Sequence, residues 1–284
     1  MMEGYFEIKT SVPEKMFIKN VVKELREIPQ KEGLEKTSQI VEYMLKDPEI
    51  SVAHYATNHL MVKYLHYNDH GRSHAIITAR NALKILILLQ ETHPPNMVVH
   101  EVGSFDEAAA VVALAAFIHD VGNMVHRAFH YGFSVVVANR IVWKYVNKFW
   151  GDETRKKKWL IYAHIMNSIF SHDDDVFAYT VEASAVKVAD GCDMAAGRSR
   201  MPYNIGKVDI HSVSALSVRE VEITRGIAKP VRIVVDMVDP AGIFQVEEIL
   251  MKKINTSILA DAIEVKTFVN GRVVKLSTPS FQLG

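Results

Sequence analysis

Ala108-Ala-Ala-Val-Val-Ala-Leu-Ala-Ala-Phe-Ile118 runs without Gly or Pro straight into His119-Asp120-Val-Gly-Asn123. The Ala- and Leu-rich stretch reads as a buried helix. A core helix has no packing reason to end on an imidazole beside a carboxylate, because burying either group without a partner costs several kcal/mol. A metal ion resolves the conflict: it accepts both as ligands and neutralises the carboxylate. The question the rest of the sequence must answer is whether other ligands converge on the same point.

The chain has 284 residues, enough for one large core or two modest domains. Hydrophobic residues make up 49% and charged residues 23%, the composition of a globular protein. Lys+Arg and Asp+Glu both total 33, so no global field draws the chain to nucleic acid or anionic lipid. The single cysteine, Cys192, excludes an internal disulfide and a Cys-based zinc cage, and fits a reducing compartment. Met1-Met2-Glu3-Gly4 opens no signal-peptide pattern, and the apolar stretches around Leu83–Leu89 and Ala108–Ile118 are too short to span a bilayer. A cytoplasmic location is the expectation. The unusual count is 13 His, and together with Asp it directs attention to metal.

Apolar residues at helical spacing predict a mostly helical region from 14 to 170. Thr37-Ser38 reads as a helix start and Asp47-Pro48 as a stop. Further helices are expected over Ser51–Leu65, His74–Gln90, Tyr131–Phe149, Thr154–Phe170 and Val181–Ala189. A turn-rich linker, Ser199-Arg-Met-Pro-Tyr-Asn-Ile-Gly-Lys207, ends this pattern. β-Branched runs at Val208–Val213, Val218–Thr224, Val231–Val238 and Ile263–Val269 read as strands, with an amphipathic helix at Gln245–Leu259. The fold class is therefore mainly α: a helical bundle with a smaller C-terminal α+β domain. Its parts are an N-terminal helical extension (1–50), a metal-binding helical domain (51–200) and the α+β domain (205–284). Nothing in 205–284 supplies a nucleophile or a metal cluster, so dimerisation and small-ligand regulation both stand for it.

Four places put ionisable residues at helix ends: His74 after Asn68-Asp-His-Gly-Arg-Ser73, His119-Asp120, His130, and Asp190 after Ala183-Ser-Ala-Val-Lys-Val-Ala189. Helix ends that converge in a bundle can gather ligands around one point. The order His, His-Asp, distal Asp resembles the HD-domain superfamily of metal-dependent phosphohydrolases. It rests on Gly71-Arg-Ser-His-Ala75, Phe117-Ile-His-Asp-Val-Gly122 and Val188-Ala-Asp-Gly-Cys-Asp193, and covers roughly residues 55 to 200. The resemblance implies that His74, His119, Asp120 and Asp190 bind one metal and that Asp120 bridges to a second. His130 and His172 are similar to the added ligands of the dinuclear HD-GYP branch. The chain departs from that branch in lacking Gly-Tyr-Pro after His172 and in having His172-Asp173 where the branch has paired His. That removes cyclic dinucleotide as the expected substrate. The pattern resembles that of archaeal-type HD proteins with His-Asp-x-Gly-Asn-x-x-His-Arg.

A divalent ion supplies hydroxide near neutral pH, and a carboxylate-bridged pair can hold both nucleophile and phosphoryl oxygen. Imidazole ligands favour Mn, Fe, Ni, Co or Zn over Mg. The implied activity is a phosphomonoesterase or phosphodiesterase acting on a nucleotide or another small phosphorylated compound. Asp120, Lys187, Arg198 and Arg200 are the candidate catalytic residues; Arg127 and His126, with Arg198 and Arg200, are the candidates for holding phosphate. A di-iron oxygenase of the same fold, and a nucleotide-binding regulator with little turnover, are the alternatives. His126 and His164 are further candidate ligands, though a mid-helix His among apolar residues is ordinarily a satisfied core residue. His70 reads as a partner of a ligand or a solvated turn residue, and His54, His59, His66, His93, His100 and His211 as ordinary core or surface residues. Asp173-Asp-Asp175 and Glu153–Lys158 read as solvated charge runs. The expected partners are a small phosphorylated substrate and, through the α+β domain, a second copy of the chain, with neither membrane nor nucleic acid.

Overall fold

Every residue from Glu107 to Ile118 is buried in the computed structural model, which describes residues 12–194 and 210–276. These belong to α6 (Phe105–Ile118), and a helix apolar all round needs neighbours on every side. They are α2 (Glu35–Lys46), α4 (Arg72–Leu89), α8 (Arg155–Phe170) and α9 (Val181–Gly191). An outer layer adds α1 (Val12–Lys31), α3 (Pro48–Asn58) with its π-helical extension His59–Tyr64, the short α5 (Asn96–Val99), and α7 (His130–Phe149). A capping box sets the start of α6: Ser104 Oγ accepts from Glu107 N at 3.2 Å, and Glu107 Oε2 accepts from Ser104 N at 2.9 Å.

The start of α2 lies at Glu35, two residues before the expected Thr37-Ser38, and its cap comes from another helix. Asp106 accepts from the amides of Lys36 (2.8 Å) and Thr37 (2.9 Å) and from the Thr37 hydroxyl (2.7 Å). A carboxylate at a helix N-terminus satisfies orphan amides wherever it comes from. Asp47-Pro48 ends α2 as expected and also begins α3, with Asp47 accepting from Glu49 N at 3.0 Å and Pro48 in the first turn.

The C-terminal part is a four-stranded sheet in the order β1 (Val218–Arg225), β2 (Val231–Met237), β3 (Ile263–Val269), β4 (Arg272–Val274). The β1–β2 and β3–β4 pairs are antiparallel, and β2–β3 is parallel. A parallel pair needs a crossover, supplied here by a helical run in three pieces, Ile243–Gln245, the π-helical Val246–Met251, and Lys252–Asn255. We call this run α11. The strand expected at Val208–Val213 is corrected: Ile210–Leu216 is a helix, α10, and residues 208 and 209 lie outside the described ones. Ser214 and Ala215, adjacent in sequence, are both buried, and Gln245 of α11 donates to Ser214 Oγ at 2.8 Å. Packing against α11 outweighs the weak preference of scattered β-branched residues. Among the described residues no helix is long and apolar enough to cross a membrane.

Candidate metal centre

The buried end of α6 carries His119 and Asp120, and the first turn of α4 brings His74 to the same point. His119 donates through Nδ1 to the carbonyl of Ala116 at 2.8 Å, and His74 through Nδ1 to Asp193 Oδ2 at 2.7 Å. These acceptors assign the ring protons to Nδ1, so both Nε2 atoms present lone pairs. Those atoms are only 3.1 Å apart, and His74 Nε2 lies 3.1 Å from Asp190 Oδ1 at the end of α9. Two lone pairs and a carboxylate oxygen facing each other in a buried space repel unless a cation lies among them. His74, His119 and Asp190 thus form a group able to hold a metal ion.

A second set stands beside it. His130 and His172 approach with their Nε2 atoms 3.0 Å apart, and His172 Nδ1 donates to the Ile169 carbonyl. Asp120 lies between the sets, and each of its oxygens faces a different one. Oδ2 is 2.7 Å from His70 Nδ1, 3.5 Å from His74 Nε2 and 3.7 Å from His119 Nε2. Oδ1 is 3.4 Å from His130 Nε2 and 3.6 Å from His172 Nε2, and accepts from Asn123 Nδ2 at 2.8 Å.

Local chain geometry makes this meeting possible. After Asp120 the chain makes a 3-10 turn, Val121–Met124, pressed against the start of α7. Gly122 N donates to Ser134 Oγ at 2.8 Å, and a Cβ on Gly122 would lie 2.1 Å from the His130 carbonyl oxygen. Only glycine allows the approach that carries His130 to Asp120. Phe129, immediately before α7, is held at φ +60°, a region few non-glycine residues adopt. Its ring occupies the space where a side chain on Gly132 would be.

The electrostatics suit ligands. Burial works to raise the Asp120 carboxyl, but His119, His70 and His172 hold it well below the usual range. Asp190 is likewise held low against burial, first by Lys253 and then by His119 and His74. Burial pushes His119 down, and His130 down to about 3. Neutral imidazoles beside ionised carboxylates are the protonation state in which these groups bind metal.

A cavity of about 690 Å³ opens from the centre. Arg127 and Tyr67 line one side, and Phe244 and Lys252 of the α+β domain line another. Arg127 donates to Asn123 Oδ1 at 3.3 Å and sits over the Tyr67 ring. His126 is exposed, its Nδ1 accepting from Ala128 N at 3.0 Å. His164 is half-buried on α8, pushed down by burial, with Glu182 and His100 as the charged groups that act on it. Neither residue is among those lining the cavity.

Lys187, expected at the chemistry, is placed otherwise. It is fully buried and donates to the carbonyls of Asp173 (2.9 Å), Val176 (2.6 Å) and Thr256 (3.1 Å). An ammonium has three donors, and all are used, so Lys187 fixes chain segments. Arg198 and Arg200 lie outside the described residues. His54 is a core residue, its Nε2 2.7 Å from the Phe117 carbonyl oxygen and its buried Nδ1 without a hydrogen-bond partner. The sequence reading left His70 open between two roles and assigned none to Asp193, Asn123 or Lys253. His70 and Asp193 each lie within four residues of a candidate ligand in sequence, a usable local signal; Lys253 has none.

Fold and site together define a helical-bundle protein with a buried His/Asp centre able to hold metal, flanked by a small α+β domain. The chain belongs to the same family as the uncharacterised protein MJ1020 of Methanocaldococcus jannaschii. The two are 37% identical over 243 residues, covering 85% of this chain and 92% of that protein. No protein-family profile matches the chain, and no solved structure matches it.

Proposed function

We propose that the protein is a metal-dependent phosphohydrolase of the HD type with a dinuclear centre. The carrying observation is Asp120, whose two oxygens face two separate sets of imidazoles. In this reading His74, His119, Asp190 and Asp120 hold one ion, and Asp120, His130 and His172 hold the other, with His70 beside the shared carboxylate. Divalent ions held there would supply a hydroxide nucleophile near neutral pH and neutralise charge on the phosphoryl oxygens, and the imidazole-rich set favours Mn, Fe, Ni, Co or Zn. The chain's own contribution is to hold the ligands ready: carbonyls and Asp193 fix the rings of His119, His172 and His74, and burial pushes His119 and His130 toward the unprotonated form. Arg127 offers a planar fork of donors at the cavity wall, suited to phosphate oxygens. Tyr67 and Phe244 supply flat apolar surface for the rest of a substrate such as a nucleotide.

Metal analysis of protein purified without added metal, followed by a phosphatase panel with Mn, Ni and Co, tests the proposal. The expected result is at least one equivalent of metal, phosphate release, and loss of both in His119→Ala. Arg127→Ala should raise KM while leaving metal content alone. Less than about half an equivalent of metal, with His119→Ala unchanged, overturns the reading. Substrate-dependent oxygen uptake by a coloured di-iron protein would replace hydrolysis with oxidation.

A further inference from the structure

Among the described side chains, the α+β domain supplies no imidazole to the centre, yet one of its side chains reaches it. Lys253, near the end of α11, is buried, and its ammonium meets Asp190 Oδ2 at 2.9 Å, Asp174 Oδ1 at 3.0 Å and the His172 carbonyl at 2.8 Å. One hydrogen bond, to the His172 carbonyl, and two ion pairs surround the ammonium, the compensation a buried charge requires. The choice of acceptors is informative. Asp190 belongs to the first set, and its other oxygen faces His74 and His119. His172 belongs to the second set. A single cation from outside the bundle thus grips one residue of each set.

The same seam is closed from the other side. Lys187 of α9 reaches Thr256 O of the α+β domain, Ala178 N donates to Thr256 O at 3.0 Å, and Ile258 N donates to Ala178 O at 3.2 Å. The domain is therefore hydrogen-bonded to the bundle right beside the ligands.

We propose that Lys253 is a positioning residue that links cation binding at the centre to docking of the α+β domain. Anything that favours the arrangement of Asp190 and His172 favours the grip of Lys253 on them, and by reciprocity docking favours cation binding. The ammonium also repels an incoming cation through space. Asp190 lies between and screens it, and deleting groups that orient ligands ordinarily lowers metal affinity about 10- to 100-fold. Orientation is the larger effect.

The proposal rests on the centre being a metal site, and its test uses Mn2+ as the probe on the full chain. In the wild type, Mn2+ should slow amide hydrogen exchange across Val246–Asn255, a stretch that contains no ligand. In Lys253→Met, Mn2+ affinity measured by calorimetry should fall about 10- to 100-fold, and the Mn2+-dependent protection of α11 should disappear. Lys266→Met, which removes an exposed lysine of β3 outside the cavity lining, should behave as wild type in both measurements. The exchange experiment needs only the wild type, so misfolding of Lys253→Met does not remove the test. Unchanged exchange in α11 on Mn2+ binding overturns the proposal, as does a folded Lys253→Met with wild-type Mn2+ affinity. If the wild type binds no Mn2+, the metal reading itself has failed, a result distinct from both.

Discussion

Replacing Gly122 by alanine is the sharpest probe of how the second imidazole set is built. The added Cβ would sit 2.1 Å from the His130 carbonyl oxygen and 2.2 Å from Ser134 N. Both are backbone atoms, so no side chain can swing away. Real Cβ contacts essentially never fall below 3.0 Å, so the start of α7 must retreat by at least 3.0 − 2.1 = 0.9 Å. Overpacking of this kind costs about 1–3 kcal/mol and sometimes more. The retreat also lengthens the Gly122 N to Ser134 Oγ bond from 2.8 Å and draws His130 away from Asp120 Oδ1, now 3.4 Å off. A misplacement of about 1 Å at a reacting group costs on the order of 100-fold in rate. Gly122→Ala should therefore lower the unfolding midpoint by several degrees, lose the weaker-bound metal equivalent, and cut turnover about 100-fold. Thermal unfolding with metal quantification on the same sample reads all three. An alanine variant with wild-type midpoint, metal content and turnover would refute the packing argument.

Two further outcomes are expected. Asp193→Ala should weaken metal binding about 10- to 100-fold by releasing the His74 ring, measured by Mn2+ titration, while Asp193→Asn, which keeps an acceptor, should lose less; equal affinity in all three proteins would remove Asp193 from the site. Asp47 caps α3, accepts from Tyr145 at 3.0 Å and pairs with Lys144 at 2.6 Å, so Asp47→Asn should cost about 1–3 kcal/mol at neutral pH. Burial acts to raise the Asp47 carboxyl, but Lys144, Tyr145 and the Glu49 amide hold it below its ordinary 3.8; a depressed carboxyl stabilises the fold above that value, so the gap between wild type and Asp47→Asn in denaturant titrations should narrow as pH falls below about 4. A gap that stays constant to pH 2 would contradict it.

How much of this was legible depended on distance along the chain. His119-Asp120, His74 and Asp190 could be read because each sits where a strongly apolar helix begins or ends, and the structure places these four together. The bundle with a smaller α+β part followed from the change of pattern after residue 200, since periodicity there shifts from helical to β-branched. The helix at Ile210–Leu216 was misread because three β-branched residues outweighed the buried Ser214-Ala215 face, which only α11 explains. The role of Lys187 was misread for a related reason: its three acceptors include Thr256, from the far part of the chain. Lys253 follows Lys252 in an ordinary amphipathic helix, and only tertiary docking separates the exposed lysine from the buried one.

The helix that carries the His-Asp pair is enclosed on every side, and α9 beside it is almost as deeply set. Neither can fray without opening the whole bundle, so one flank of the centre is as rigid as the core itself. The cavity beside it is walled in part by the segment His66–His70 and by Arg127, both at least partly exposed to solvent. Ions and water can therefore pass between the centre and solvent along these segments without any opening of the helices that define its shape.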